Sequence, residues 1–321
     1  MKILVTGTAG FIGSHLARAL LADGHEVVGI DNFNDYYDVQ LKRDRHAALD
    51  ALDGYTGIEA DLCDLDRLRA AFAEHRFDRV CHLAAQAGVR YSLTHPFVYQ
   101  KANIEAFLNV LEVCRHADTP RLVYASSSSV YGGNTKLPFS ESDPVDTPVS
   151  LYAATKKANE LMAHTYTHLY GLPTVGLRFF TVYGPWGRPD MAMWLFTEAM
   201  LRGEPIKVFN HGNMRRDFTF IDDIIAGVTA ALLSDGLAPY EVLNLGNHRS
   251  ENLMDMIRII ADSLGVEPRM NMLPMQPGDV PATFADIEQA RRKLGYEPAT
   301  PIAEGIPRFI DWYRQYRNGK E

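Results

Sequence analysis

The sequence predicts an α/β protein with a doubly wound parallel sheet and a smaller C-terminal lobe. Three observations predict it. Short apolar, β-branched runs alternate with amphipathic helical patterns through about residue 175. The first of those runs ends on three glycines spaced three apart, Gly7, Gly10 and Gly13. Beyond Tyr183 the alternation weakens and prolines appear at Pro185, Pro189 and Pro205, as expected of a lobe assembled from inserted segments. A chain of 321 residues has room for one large α/β unit with such a lobe attached.

Strands are expected at residues 3–5, 27–30, 57–59, 79–82, 122–125 and 174–177, joined by right-handed helical crossovers. The stretch 34–52 is polar, aromatic and charged, which predicts a loop plus helix on the rim of the sheet. We place the nucleotide-binding domain at residues 1–178 and the substrate lobe at 179–321, with a strand at 242–245 that can return to the main sheet. In the lobe, helices are expected over 192–202, 221–233, 253–264, 287–294 and 302–316, with a short strand at 206–209. The last residues, from Arg317 on, read as a frayed tail.

The glycines carry the first chemical signal. They let the chain turn tightly and approach a pyrophosphate, whose charge then rests on the N-terminus of the helix that begins near Phe11 and Ile12. A second strand ends on Asp31, about twenty residues downstream, where a ribose hydroxyl would be held. Asp31 would repel a 2′-phosphate, and neither Asn32 nor Phe33 supplies a cation, so the expected coenzyme is NAD.

The second signal is Tyr152 with Lys156, four residues apart on one face of a helix. A nearby cation favours tyrosinate, bringing a phenol of ordinary pKa about 10 within reach of service as a base. A serine run, Ser126 to Ser129, follows the strand at 122–125 and so ends at the carboxyl edge of the sheet, where ligands of such folds lie. The run can supply a hydroxyl to orient a substrate oxygen, and the residues themselves leave Ser127 and Ser128 both open.

With these elements in view, the chain resembles the extended short-chain dehydrogenase/reductase superfamily, whose domains are Rossmann-type. Within it the chain is similar to nucleotide-sugar 4-epimerases, and most of all to UDP-glucuronate 4-epimerases. The resemblance rests on the glycine motif, Asp61-Leu62, His82-Leu83-Ala84-Ala85 and Tyr152/Lys156 in order. It rests further on Ala85-Gln86-Ala87-Gly88-Val89-Arg90, Arg178-Phe179-Phe180-Thr181-Val182-Tyr183-Gly184-Pro185, Gly187-Arg188-Pro189-Asp190, Arg216-Asp217-Phe218-Thr219 and Gln276-Pro277-Gly278-Asp279.

The resemblance implies NAD contacts from Asp61, Leu62, Leu83, Ala84 and Ala85 beside the glycines and Asp31. It implies Tyr152 as base, Lys156 on the nicotinamide ribose, and Ser127 as the serine partner. Related 4,6-dehydratases carry an acidic pair, and decarboxylases a Glu, where this chain has Ser128 and Ser129. No acid is then in place to expel a C6 hydroxyl, which leaves oxidation and re-reduction at C4. Thr181 stands where UDP-galactose 4-epimerases usually have Asn, and Gln276 where they usually have Arg. Both departures favour the hexuronic acid over UDP-glucose as substrate.

An acid's 4-keto intermediate can lose carbon dioxide, so its carboxylate must be restrained; Ser128, Ser129, Thr181 and Arg188 are the candidates. Arg90, Arg178, Arg215, Arg216 and Lys101 are further cations for an anionic sugar nucleotide. The rivals are a UDP-glucose/UDP-galactose 4-epimerase, a UDP-glucuronate decarboxylase and a non-catalytic NAD sensor.

Composition narrows the remaining classes. A net charge of −8 argues against nucleic acid as a partner. No apolar stretch approaches the roughly 18 residues that span a bilayer, and the run after Lys2 is too short for a secretory signal. Cys63, Cys81 and Cys114 are widely separated, and neither they nor the histidines show metal-ligand spacing, so no metal is expected. A cytoplasmic enzyme follows. The resemblance implies a homodimer that pairs the helices around 96–114 and 152–170.

Overall fold

In a computed structural model, which describes residues 1–276 and 279–319, seven parallel strands form the central sheet. Six lie in the N-terminal part: β1 (Lys2–Thr6), β2 (Glu26–Asp31), β3 (Tyr55–Glu59), β4 (Arg79–His82), β5 (Leu122–Ser127) and β6 (Thr174–Phe179). The seventh, Tyr240–Leu245, comes from beyond the lobe's first segments and pairs with β6, Val242 opposite Gly176. From that strand the order runs β6, β5, β4, β1, β2, β3, so the chain reverses direction across the sheet between β1 and β4. A crevice opens at such a switch point on the carboxyl side of the strands.

Burial on both faces explains why the inner strands read as apolar runs rather than as alternating patterns, whereas the edge strand β3 is partly exposed. Ile3 and Val5 of β1 enter one core and Leu4 the other, and Val123 and Leu122 of β5 divide in the same way. The expected α/β class and parallel sheet are thus borne out.

The helix Phe11–Ala22 follows the glycine turn, and Val39–Asp50 forms the rim helix. The long helix on the next crossover is not uniform. It consists of Pro96–Tyr99, a π-helical turn at Gln100–Glu105 and Ala106–His116. The wide turn frees the Asn103 carbonyl, which accepts a hydrogen bond from Asn159 at 2.6 Å. Periodicity predicts one continuous helix here because a single wide turn barely shifts the apolar phase.

The helix Leu151–Tyr170 starts on Ser150, whose hydroxyl accepts from the Ala153 N–H, and stops at Gly171 in the left-handed region. Farther along the chain, Ala192–Leu201, Leu253–Leu264 and Ile302–Asn318 pack together. Short strands stitch the lobe, with Thr181–Tyr183 parallel to Phe218–Phe220 and Arg215–Arg216 antiparallel to Glu251–Asn252. Pro277 and Gly278 of the predicted 276–279 motif, and Lys320 and Glu321 of the predicted tail, lie outside the described residues.

Candidate active site

A cleft of about 260 Å³ follows the carboxyl edge of β1, β2, β4 and β5. Its floor is the glycine turn. Gly7 has φ +79°, and a Cβ there would meet the Ala84 nitrogen at 2.8 Å, while one on Gly13 would fall 2.1 Å from the Gly7 carbonyl oxygen. Only glycine allows this approach. The helix beyond has Gly10 as N-cap, with no side-chain cap and no acid in its first turn, so its N–H groups remain available to an anion. Phe11, Ile12, Leu83, Ala84 and Ala85 line the same wall.

Asp31 and Asn32 line the far end with Asp61 and Leu62. The two carboxylate oxygens of Asp31 accept from the Ala9 N–H at 3.0 Å and the Phe33 N–H at 2.9 Å, pinning the glycine turn to the end of β2. Burial raises the Asp31 pKa, and those two bonds and Lys42 work against it. Lys42 also lines the cleft and donates to Asn34 Oδ1 at 2.6 Å.

Ser127, Tyr152 and Lys156 meet at the inner wall. Ser127 Oγ accepts from the Ser129 N–H at 3.2 Å and the Ser129 hydroxyl at 2.9 Å, which leaves its own proton to donate into the cleft. The lining includes Ser126 and Ser127 but neither Ser128 nor Ser129. Burial raises the Tyr152 pKa, while a hydrogen bond from Ser127 and the positive charge of Arg188 pull it back. Lys156 is buried and donates to the Ala125 carbonyl at 2.9 Å; burial lowers its pKa to about 8. His82 is a core residue, its pKa lowered to about 3 by burial and then by Lys156, and its Nδ1 sits 2.9 Å from Thr6 Oγ1.

Arg188 lines the outer wall, but its guanidinium fork is engaged by Asp190, Nε to Oδ1 at 3.0 Å. Tyr36 donates to the other oxygen of Asp190 at 3.0 Å. Arg45, itself buried, donates to Ala9 O and Gly187 O, both at 3.0 Å, and so ties the glycine turn to the segment that carries Arg188.

A second group of charges, in which Arg90 meets residues of the C-terminal part, lies outside this cleft. Arg90 reaches Asp279 at 2.9 Å and covers the Phe209 ring at 4.7 Å. Arg216, within electrostatic reach of both Arg90 and Asp279, donates to the carbonyls of Arg215 and Pro281. Thr181 and Gln276 are half-buried and lie outside the cleft lining. Arg178 is not available to a ligand. It is 3% exposed and is paired on both arms with Glu160. Among the described residues, no group of three or more His, Cys, Asp or Glu could hold a metal, and no helix is long and apolar enough to cross a membrane.

The sequence reading missed Lys42, Tyr36, Arg45 and Glu160. The first three sit in or beside a stretch whose charges read as a solvated rim. Glu160 had a signal, since it is one helical repeat beyond Lys156 on the face that carries Tyr152.

The model of the NAD dependent epimerase/dehydratase family matches residues 3–246. A relative from Arabidopsis thaliana, UDP-glucuronate 4-epimerase 4, is 50% identical over 99% of this chain and 76% of its own length. Protein CapI of Staphylococcus aureus is 50% identical over 98% of this chain and 99% of its own. A crystal structure of UDP-glucuronic acid 4-epimerase from Bacillus cereus, in complex with UDP-glucuronic acid and NAD, superimposes with a TM-score of 0.93 at 37% identity. It covers 98% of this chain and all of that one.

Proposed function

The chain belongs to the NAD-dependent epimerase/dehydratase family, and within it we propose that this protein interconverts UDP-glucuronate and UDP-galacturonate through a 4-keto intermediate. The observation that carries this reading is one cleft that joins a glycine-built dinucleotide cradle to a buried Tyr152, Lys156 and Ser127. NAD, the coenzyme of the family, accepts the C4 hydride and returns it, and its oxidised ring adds positive charge beside the tyrosine.

Gly7, Gly10 and Gly13 with the free N–H groups at Phe11–Gly13 suit the pyrophosphate, and Asp31 with Asn32 suits the adenosine ribose. Asp61, Leu62, Leu83, Ala84 and Ala85 complete the coenzyme wall. Tyr152 takes the proton from the C4 hydroxyl and gives it back to the same oxygen once the sugar has turned and the hydride has returned to the opposite face of C4. Ser127 orients that oxygen, and Lys156, anchored on Ala125, holds the nicotinamide ribose. Ser128, Ser129 and Thr181 do not line the cleft but adjoin residues that do, Ser127, Phe180 and Val182, and from there would hold the carboxylate, while the charge of Arg188 favours an anion at the outer wall. Arg90, together with Arg216 and Gln276 from the C-terminal part, serves the nucleotide of the substrate. Ser128 and Ser129, where an acid would be needed to expel a C6 hydroxyl, support epimerisation over dehydration.

The protein works as a homodimer in the cytoplasm. What supports the dimer is an uncovered apolar face on the helices Pro96–Tyr99 and Leu151–Tyr170, where Phe97 is 83% and Leu161 57% exposed. Three free cysteines fit a reducing compartment. Sedimentation of wild type and Leu161→Asp tests the assembly. A dimer that the substitution splits supports it, and a monomeric wild type refutes it. Product analysis with UDP-glucuronate tests the activity, with carbon dioxide release pointing instead to a decarboxylase.

A further inference from the structure

Behind the serine turn lies a buried polar network that the proposed mechanism leaves unused. Arg178, on β6, donates to both carboxylate oxygens of Glu160 at 2.8 and 2.9 Å. Glu160 sits on the Tyr152/Lys156 face of its helix, eight residues beyond Tyr152. Its carboxylate also accepts from the Ser126 hydroxyl at 2.7 Å. Arg178 donates to the Tyr131 hydroxyl at 3.0 Å, and that hydroxyl donates to Asn244 Oδ1 at 2.7 Å. Ser126 and Tyr131 are the residues just before and at the end of the turn Ser127 to Tyr131. One ion pair therefore grips that turn at both ends.

Every member is nearly inaccessible: Arg178 3%, Glu160 2%, Ser126 2%, Tyr131 1% and Asn244 0% exposed. Buried ion pairs are weak sources of stability, because desolvation consumes most of the Coulomb gain. Their better-attested use is to specify one arrangement among several. Here the arrangement specified is that of Ser127, Ser128 and Ser129 relative to the Tyr152/Lys156 helix.

We propose that the Arg178–Glu160 pair is a positioning element that holds the serine turn at both ends and thereby keeps the 4-keto acid from losing its carboxylate. This inference rests on the epimerase reading above. In the 4-keto acid, carbon dioxide departs when the C5–C6 bond aligns with the ketone. That bond breaks, its electron pair passes to the C4 carbonyl as an enolate, and C5 takes up a proton, which leaves a UDP-4-keto-pentose. A turn held in one place keeps the carboxylate out of that alignment. A turn freed at one end lets it enter. Misplacement by about an ångström is enough to change rates roughly 100-fold.

The test uses full-length protein with its coenzyme and carboxyl-labelled UDP-glucuronate, and reads labelled carbon dioxide against UDP-galacturonate formed. Removing Glu160 or Arg178 outright would strand a buried charge and threaten folding, so Ser126→Ala and Tyr131→Phe are used. Each cuts one link and leaves the pair intact. The ratio of carbon dioxide to epimer should rise about tenfold in the double variant. Tyr296→Phe, which deletes a buried hydroxyl bonded to the Gly246 carbonyl in the lobe, should keep the wild-type ratio. A folded double variant with the wild-type ratio, or an equal rise in Tyr296→Phe, would overturn the inference while leaving the epimerase reading in place. A wild-type protein that leaves UDP-glucuronate unchanged would overturn both.

Discussion

The ammonium of Lys156 is anchored on the carbonyl of Ala125, 2.9 Å away, at the end of the strand that leads into the serine turn. Spacing alone pairs Lys156 with Tyr152 as the cation that lowers its pKa. The groups that pull the buried phenol down are instead Ser127 and Arg188. Lys156 is thus oriented by the backbone of β5, and the phenol stays largely protonated in the protein alone.

Tyr152→Phe keeps the ring and removes the hydroxyl. Turnover should fall by about 10² to 10⁴, with substrate affinity measured by calorimetry little changed. A variant that keeps most of its activity would remove Tyr152 from the base role.

Lys156→Met should separate stability from activity. The folded pKa of about 8 lies below the ordinary 10.5, so the buried ammonium costs stability in full below pH 8, and the cost is relieved as pH rises toward 10.5. The methionine variant should be inactive yet about 1–3 kcal/mol more stable at neutral pH in denaturant unfolding. It should also lack the wild type's gain above pH 8. A less stable variant would contradict this.

Asp217 carries the opposite sign. Its carboxylate accepts from the N–H groups of Asn247 at 2.6 Å and Ala285 at 3.0 Å, and burial raises its pKa to about 6 from 3.8. The native state holds that proton more tightly, so the contribution is full below pH 3.8 and is lost as pH rises through 6. Wild type minus Asp217→Asn stability should therefore fall by about 2–3 kcal/mol between those limits. A flat difference would place the carboxyl in water.

Gly13→Ala sets a methyl 2.1 Å from the Gly7 carbonyl, whereas nothing lies within 4 Å of a Cβ on Gly24. Gly13→Ala should purify without NAD or fail to fold. Gly24→Ala should retain NAD and lose only about 1–2 kcal/mol to its positive φ. Coenzyme released by acid and quantified by chromatography decides between them. Equal retention in both would show that the cradle tolerates displacement.

The sheet was legible because its inner strands are buried on both faces and are punctuated by glycine or a charged helix start, whereas the edge strand Tyr55–Glu59 has no fully buried residue. The helices Phe11–Ala22, Ile221–Leu233 and Leu253–Leu264 begin and end where their apolar periodicity does. The coenzyme cradle was legible because close backbone approach requires glycine. Partners were not. Arg178 reads as a free cation in sequence and lies against Glu160, and Arg188 reads as an open fork and lies against Asp190. The first pairing depends on the strand and helix that the fold brings together, which local spacing does not encode; the second is local, with Asp190 only two residues beyond Arg188. The π-helical turn at Gln100–Glu105 escaped for a related reason, since the partner of its freed carbonyl, Asn159, comes from another helix.

The most direct test of the account is proton NMR of products after separate incubation of the holoprotein with UDP-glucuronate and UDP-glucose. UDP-galacturonate is expected from the first and no new sugar from the second. UDP-galactose from the second, with UDP-glucuronate unchanged in the first, would contradict it.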